Sequence, residues 1–363
     1  MGVFTRIGAA FPPPQFLSMP GAGIDISDNS VKVVEFKTFT GSCLLDSYTQ
    51  AELPEGAVVD GDIEKPDAVV DILRSLRLRE RLRFAHASLP ERKAYLYQVF
   101  IPNDAGDNLR TAVEFSLESH VPISPEEAVF DFEVVRRMEQ GTVVSVTAYA
   151  KRVVESYVEA FRRAGITLRS LEIESQALGR ALWCAADKKR TAMVVDFGKK
   201  TTRIAVFDHG VVGLTVTVDV GGNALTSAVI KRFGVSEEEA ENIKNERGFL
   251  EGGANRDLYE ALATTASVLR DEINTYLSYW NTPTEDDVPR KSIEEIVLVG
   301  GNANLKGLPE HLARFFKLPV RVGDVWVNAA SLHEHIPPMP QNRSLEFATA
   351  VGLALRSCNP PVW

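Results

Sequence analysis

Two stretches of this chain follow one plan, and that repetition restricts the fold more than any other feature of the sequence. The first is GIDISDNSVKVVEF, from Gly23 to Phe36. The second is VVDFGKKTTRIAVFDHG, from Val194 to Gly210. In each, an apolar strand carries one aspartate, Asp25 or Asp196. A short polar turn follows, and then a second strand of apolar and β-branched residues. The two aspartates stand 171 residues apart in a chain of 363. An acid in a central strand costs desolvation energy unless donors or a cation meet it. Asp25 therefore either caps its turn or faces a bound ion. Its recurrence as Asp196 favours the ion.

The sequences that continue from the hairpins match as well. A third strand near Ser47 to Leu53 and a helix near Asp67 to Leu78 follow the first copy. A strand over Leu214 to Val220 and a helix near Asn223 to Phe233 follow the second, with Leu225, Val229 and Phe233 at helical spacing. Each half reads β-β-β-α. Later strands complete both: RFAHASL and LRSLEIE in one half, IEEIVLVGG and LPVRVG in the other. Two α/β lobes that each present an acidic hairpin form a clamp. Facing turns can hold a polyphosphate through backbone N–H groups. Two aspartates can hold Mg²⁺, which takes oxygen ligands and keeps several waters.

Composition narrows the partners. The net charge of −9 argues against nucleic acid or an anionic membrane as the main partner. The three cysteines, Cys43, Cys184 and Cys358, lie far apart with no metal-ligand spacing, so reduced thiols in a cytosolic setting are expected. No apolar run reaches the length of a transmembrane helix. The first 20 residues, broken by three consecutive prolines, read as a flexible arm.

The strings GIDISDNSVKVVEF, VPISPEEAVFDFEVV, LEIESQALGRAL, VVDFGKKTTRIAVFDHG, VGGNALTSAVIKRFGVSEEEAENIKNERG, LVGGNANLKGLPEHLARFFKLPVRVG and ATAVGLALR occur in this order. Together they resemble the actin-like ATPase superfamily, and within it the PilM family of type IV pilus assembly, with FtsA of cell division as the nearest rival. The resemblance spans roughly Gly21 to Arg356. It implies an actin-like α/β fold of two duplicated ribonuclease-H-like lobes, with an α/β insertion of the 1C type in the first lobe. It also implies ATP and Mg²⁺ as cofactors, with at most slow hydrolysis.

The first phosphate motif of that family resembles Gly23, Asp25, Ser27, Asp28, Asn29, Ser30 and Lys32, with Ser27 where glycine is usual. The second resembles Asp196, Gly198, Thr201 and Thr202, and Gly221 and Gly222 follow it. Lys199 and Lys200 in this turn either reach phosphates or point to water. Asp25 and Asp196 are the implied metal ligands. Glu174 takes the place of a water-orienting acid, or else caps the helix it begins. Glu241 and Lys244, one helical turn apart, match a pair at the ribose and adenine, or else form a surface ion pair. Gly300 and Gly301 resemble the adenosine motif. Asn302 and Asn304 either add hydrogen bonds there or make the turn.

Residues 90–165 break the repeat. A strand over Ala94 to Ile101, a helix over Leu109 to His120, a strand over Val143 to Tyr149 and a helix over Val153 to Ala164 give a coarse β-α-β-β-α order. That order resembles subdomain 1C. The resulting division is 1–20 arm; 21–89, 166–190 and 335–363 lobe 1; 90–165 insertion; 191–235 and 291–334 lobe 2; and 236–290 a helical subdomain 2B. In the PilM family the cleft between subdomains 1A and 1C receives the N-terminal peptide of PilN, a bitopic membrane protein. The expected place is therefore cytoplasmic, at the inner face of the membrane, with self-association as a further expectation. Arg74, Arg77, Arg79, Arg81 and Arg83 read as a solvated helix end. The ending LALRSCNPPVW does not read as the amphipathic membrane helix of the FtsA family. A small-molecule kinase of the superfamily is a third reading, but no acceptor-site residues stand out.

Overall fold

The computed structural model describes residues 19–39, 42–103, 108–184, 190–282, 290–329 and 336–358. Most of the expected arm and the last five residues lie outside them.

In the first lobe the strands are β1 (Ala22–Ile26), β2 (Ser30–Phe39), β3 (Ser42–Glu52), β6 (Phe84–Leu89) and β10 (Thr167–Ile173). They lie side by side in the order β3-β2-β1-β6-β10. In the second they are β11 (Ala192–Phe197), β12 (Thr202–Asp208), β13 (Val211–Val218), β14 (Glu295–Val299) and β15 (Val320–Val322), in the order β13-β12-β11-β14-β15. Both sheets have three antiparallel strands continued by two parallel ones. The sequence repeat is thus a repeat of topology. Strands β1, β11 and β14 are buried along their whole length, as the near-continuous apolar runs of a covered sheet require.

A minor hairpin pairs β4 (Val58–Val59) with β5 (Asp62–Ile63). Helix α1 (Pro66–Glu80) follows, started by a proline and ended by Arg81 in the left-handed region. The insertion supplies β7 (Tyr95–Pro102), α2 (Leu109–His120), β8 (Ala128–Met138) and β9 (Gly141–Ala150), with sheet order β7-β9-β8. Its own core is built on Val113 and Leu117 of α2 against Val144 and Val146 of β9. Helix α3 (Lys151–Ala164), read from the sequence as part of the insertion, instead buries Val153, Tyr157 and Phe161 in the core of the first lobe. Val158 of the same helix is exposed. The inserted sheet also reaches the second lobe. Arg136 of β8 pairs with the fully buried Asp208 at 3.0 Å, and Ser145 of β9 donates to the Val212 carbonyl.

The chain passes to the second lobe through α4 (Glu174–Leu182). That lobe adds α5 (Gly222–Phe233), α6 (Glu237–Arg247), α7 (Arg256–Asn281) and α8 (Leu308–Phe316), and the chain returns through α9 (Ala348–Cys358). Helices α4 and α9 pack on each other, and α9 also packs on β1. Gly23 and Gly352 allow this close approach. A Cβ on Gly23 would overlap the Ala350 carbonyl and lie 2.5 Å from the Ala354 nitrogen, and one on Gly352 would run into the backbone of Ala177.

One expectation is corrected here. Cys43 and Cys358 are not both free thiols: they form a disulfide, with Cα atoms 5.9 Å apart, that ties β3 to the end of α9. Their separation of 315 residues hides this pairing until the repeat has folded. Cys184 is half-buried.

Candidate functional site

The two hairpins face each other across a cleft of about 430 Å³, within the range of small-molecule sites. Its lining takes in the β1–β2 turn (Ser27, Asp28, Asn29, Ser30) and the β11–β12 turn (Gly198, Lys199, Lys200, Thr201). It also includes Asp25, Lys32, Glu174, Asp196, Gly222, Glu241, Lys244, Gly300, Gly301 and Asn302. Three residues expected at the site lie outside this lining. Gly23 serves the packing of α9. Thr202 is fully buried, and its hydroxyl donates to the Val220 carbonyl at 2.6 Å. Gly221 lies against the backbone of Lys199 and Lys200, too close for any side chain.

Ser27 holds its turn without strain. It is absent from the residues with positive φ, and its Oγ accepts from the Ser30 nitrogen at 3.2 Å. The turn is therefore closed by Ser27 and not by Asp25. Asp25, 4% exposed, accepts from the Ser88 hydroxyl at 2.9 Å at the end of β6.

The floor of the cleft is an ion cluster that the sequence reading missed in part. Arg203 of β12 lies directly across the ladder from Asp196 and bonds its Oδ2 through Nε at 3.2 Å and through Nη2. Its other terminal nitrogen pairs with Glu174. Glu174 does not cap α4. The helix end is held by Glu91, whose carboxylate accepts from the Ser175 nitrogen at 3.0 Å and its hydroxyl at 2.6 Å. The Glu174 Oε2 accepts in return from the Glu91 nitrogen at 3.3 Å. Burial pushes the Glu174 carboxyl up to about 7, aided by the Asp25 and Glu91 charges and opposed by Arg203. Burial works against the charge of Arg203, but Glu174, Asp196 and Asp25 hold its guanidinium well above the ordinary range, so it stays charged.

The pair of open carboxylates expected for Mg²⁺ is thus one carboxylate beside a neutral hydroxyl, Asp25, and one ion pair, Asp196 with Arg203. Among the described residues no group of three or more histidine, cysteine or acidic side chains could hold a metal ion.

The other end of the cleft belongs to the second lobe. Helix α6 starts at Ser236, whose hydroxyl accepts from the Glu239 nitrogen, and three glutamates fill its first turn. It presents Glu241 and Lys244 to the cleft. Lys244 is 1% exposed, and its Nζ donates to both Glu241 oxygens at 2.8 Å and to the Thr226 hydroxyl at 3.0 Å. Lys244 is thus taken out of solvent, while the Glu241 side chain remains 45% exposed. Burial lowers the Lys244 pKa, and Glu241 offsets part of that.

Gly300, at φ +85°, turns the chain away from β14, and a Cβ there would overlap Asp196 Oδ1 and lie 2.7 Å from the Phe197 carbonyl. Asn302 ties the loops together, its Nδ2 donating to the carbonyls of Gly198 at 2.8 Å and Phe197 at 3.2 Å. Asn304 donates to the Asn342 and Gly301 carbonyls and so shapes the turn. On the rim Arg92 pairs with Asp219, joining the lobes by an exposed contact.

Two duplicated α/β lobes with hairpin turns facing across an intervening cleft define an actin-like fold. The family model for type IV pilus assembly protein PilM matches residues 23–358, and the chain belongs to that family. A solved PilM–PilN type IV pilus biogenesis complex has the same fold, with a TM-score of 0.75 at 23% identity over 94% of this chain and 99% of that one. Spiroplasma citri MreB5, solved bound to ADP, aligns at a TM-score of 0.55 and 13% identity over 93% of this chain and 95% of that one. FtsA of Neisseria meningitidis serogroup B (MC58) is 24% identical over 233 residues, 60% of this chain and 55% of the relative, so the match spans about half of that protein. FtsA of Escherichia coli K12 is 23% identical over 323 residues, 83% of this chain and 68% of the relative. The chain is an actin-like protein of type IV pilus assembly. Among the described residues no helix is long and apolar enough to cross a membrane.

Proposed function

We propose that this protein is an ATP-binding scaffold of the pilus assembly platform that docks the cytoplasmic N-terminal peptide of a PilN-like membrane protein. The observation that carries the nucleotide reading is the cleft itself, where both hairpin turns, the Glu241–Lys244 pair and the Gly300–Gly301 turn converge. Polyphosphate lies between the turns 27–30 and 198–201. The adenosine lies toward Glu241, Lys244, Gly300, Gly301 and Asn302. Asp25 would be the residue to hold Mg²⁺ bound with the phosphates. Glu174 orients a water only when it releases Arg203, so turnover is far slower than the roughly 1–100 s⁻¹ of dedicated kinases.

The peptide reading rests on the family and on the inserted unit, whose sheet of β7, β8 and β9 supplies none of the residues that line the cleft. An extended peptide adds along a sheet edge and places alternate side chains in pockets. This docking holds the protein at the inner face of the cytoplasmic membrane. The test is titration with a synthetic PilN N-terminal peptide, read by hydrogen exchange. Protection is expected between Ala94 and Tyr149 and in the adjoining strands of the first lobe. Protection confined to the second lobe, or no binding with ATP present, contradicts the reading.

A further inference from the structure

The two hairpins are duplicates, yet their aspartates have different neighbours. Each aspartate lies across the ladder from a cation seven residues later: Asp25 from Lys32, and Asp196 from Arg203. Lys32 turns aside, its Nζ 5.9 Å from the centre of the Phe347 ring, and leaves Asp25 to the neutral Ser88 hydroxyl. Arg203 turns inward and joins Asp196 to Glu174 across the floor of the cleft.

Asp196 has little left to offer an ion. Its Oδ2 is bound by two nitrogens of Arg203. Its Oδ1 lies against Gly300, close enough that a Cβ on that glycine would overlap it. A divalent cation bound directly to Asp196 has to displace the guanidinium and then sit beside its charge. Arginine keeps its charge at any working pH, and its planar fork matches phosphate oxygens. Arg203 has five N–H donors, of which the two carboxylates engage three, so both terminal nitrogens retain an N–H for a phosphate. Lys32, Lys199 and Lys200 also line the cleft and add positive charge to it.

We infer that Arg203 stands where the second lobe would otherwise hold a divalent cation, so that the cleft binds a nucleoside polyphosphate without requiring Mg²⁺. This rests on the nucleotide reading above.

The test is calorimetric titration of the full chain with ATP, once with Mg²⁺ and once with EDTA. It uses the wild type, Arg203→Ser and Arg203→Lys, each first checked for a cooperative melt. For the wild type, removal of Mg²⁺ should change Kd by less than about threefold, below 1 kcal/mol. Arg203→Lys keeps a cation and should still bind in EDTA. Arg203→Ser frees Asp196, so it should lose at least about tenfold in EDTA and recover with Mg²⁺. Loss of wild-type binding in EDTA but not in Mg²⁺ overturns this inference and leaves the nucleotide reading standing. Unchanged binding of Arg203→Ser in EDTA also overturns it. No binding in either buffer overturns both.

Discussion

Replacing Gly222 by alanine tests how the two glycine-rich turns are locked together at the cleft. A Cβ on Gly222 would overlap the amide of Asn302 and lie 2.6 Å from its Cγ. Asn302 is 7% exposed and is held by the carbonyls of Phe197 and Gly198, so it has nowhere to swing. Overpacking of this kind costs about 2–3 kcal/mol, less a few tenths for the better helix former. Asn302→Ala removes two donors to buried carbonyls and costs about 2 kcal/mol. If the sites were independent, the double variant would lose about 4–5 kcal/mol. Because Asn302→Ala also removes the atoms that the added methyl group would strike, the double should lose only about 2 kcal/mol, a coupling of about 2–3 kcal/mol. Urea melts of the four proteins, compared by midpoint at a shared slope, give the cycle. Losses that add to within about 0.5 kcal/mol would refute the clash and the lock built on it.

Three further outcomes follow from the same structure. Gly23→Ala should cost about 3 kcal/mol of stability through the α9 contact and leave the ATP affinity of the folded fraction unchanged, checked by urea melts and titration. Glu172 is buried and bonded by both Arg180 and Arg356, so Glu172→Gln should destabilise by about 3 kcal/mol, read as a lowered melting midpoint. His86, bonded to Ser170, is held down to about 4 by burial and by Arg356, Arg169 and Arg180, against the pull of Glu172. The unfolded chain therefore takes up its proton first. The contribution is intact above the ordinary value of 6.5 and is lost as pH falls from there toward 4, by at most about 3 kcal/mol. His86→Gln should flatten the fall in urea midpoint over that window.

The sheets were legible because the repeat is written in local patterns: an apolar strand, a polar turn, an apolar strand, then a helix. Most of the cleft was legible for the same reason. Arg203 was within reach of the sequence too. Counting seven residues from Asp25 reaches Lys32, and seven from Asp196 reaches Arg203; the hairpin register that makes this count meaningful is itself part of the repeat. Glu91 was not legible, since it meets Ser175 from 84 residues away, through the packing of one lobe. The Cys43–Cys358 pair depends on the last helix lying beside β3, which no local pattern records. Gly23 was misplaced for a related reason. A glycine in a phosphate motif and a glycine under a crossing helix look alike until the helix is seen.

In the proposed function both hairpin turns close on one nucleotide. Hydrogen exchange of the full chain, with and without ATP at about 100 times its Kd, tests it most directly, since binding then adds about 2.7 kcal/mol of protection. Slowed exchange is expected in 27–30, 198–202 and 300–302 together, with the rest of each sheet little changed. Slowing in one hairpin alone, or in neither, would contradict it.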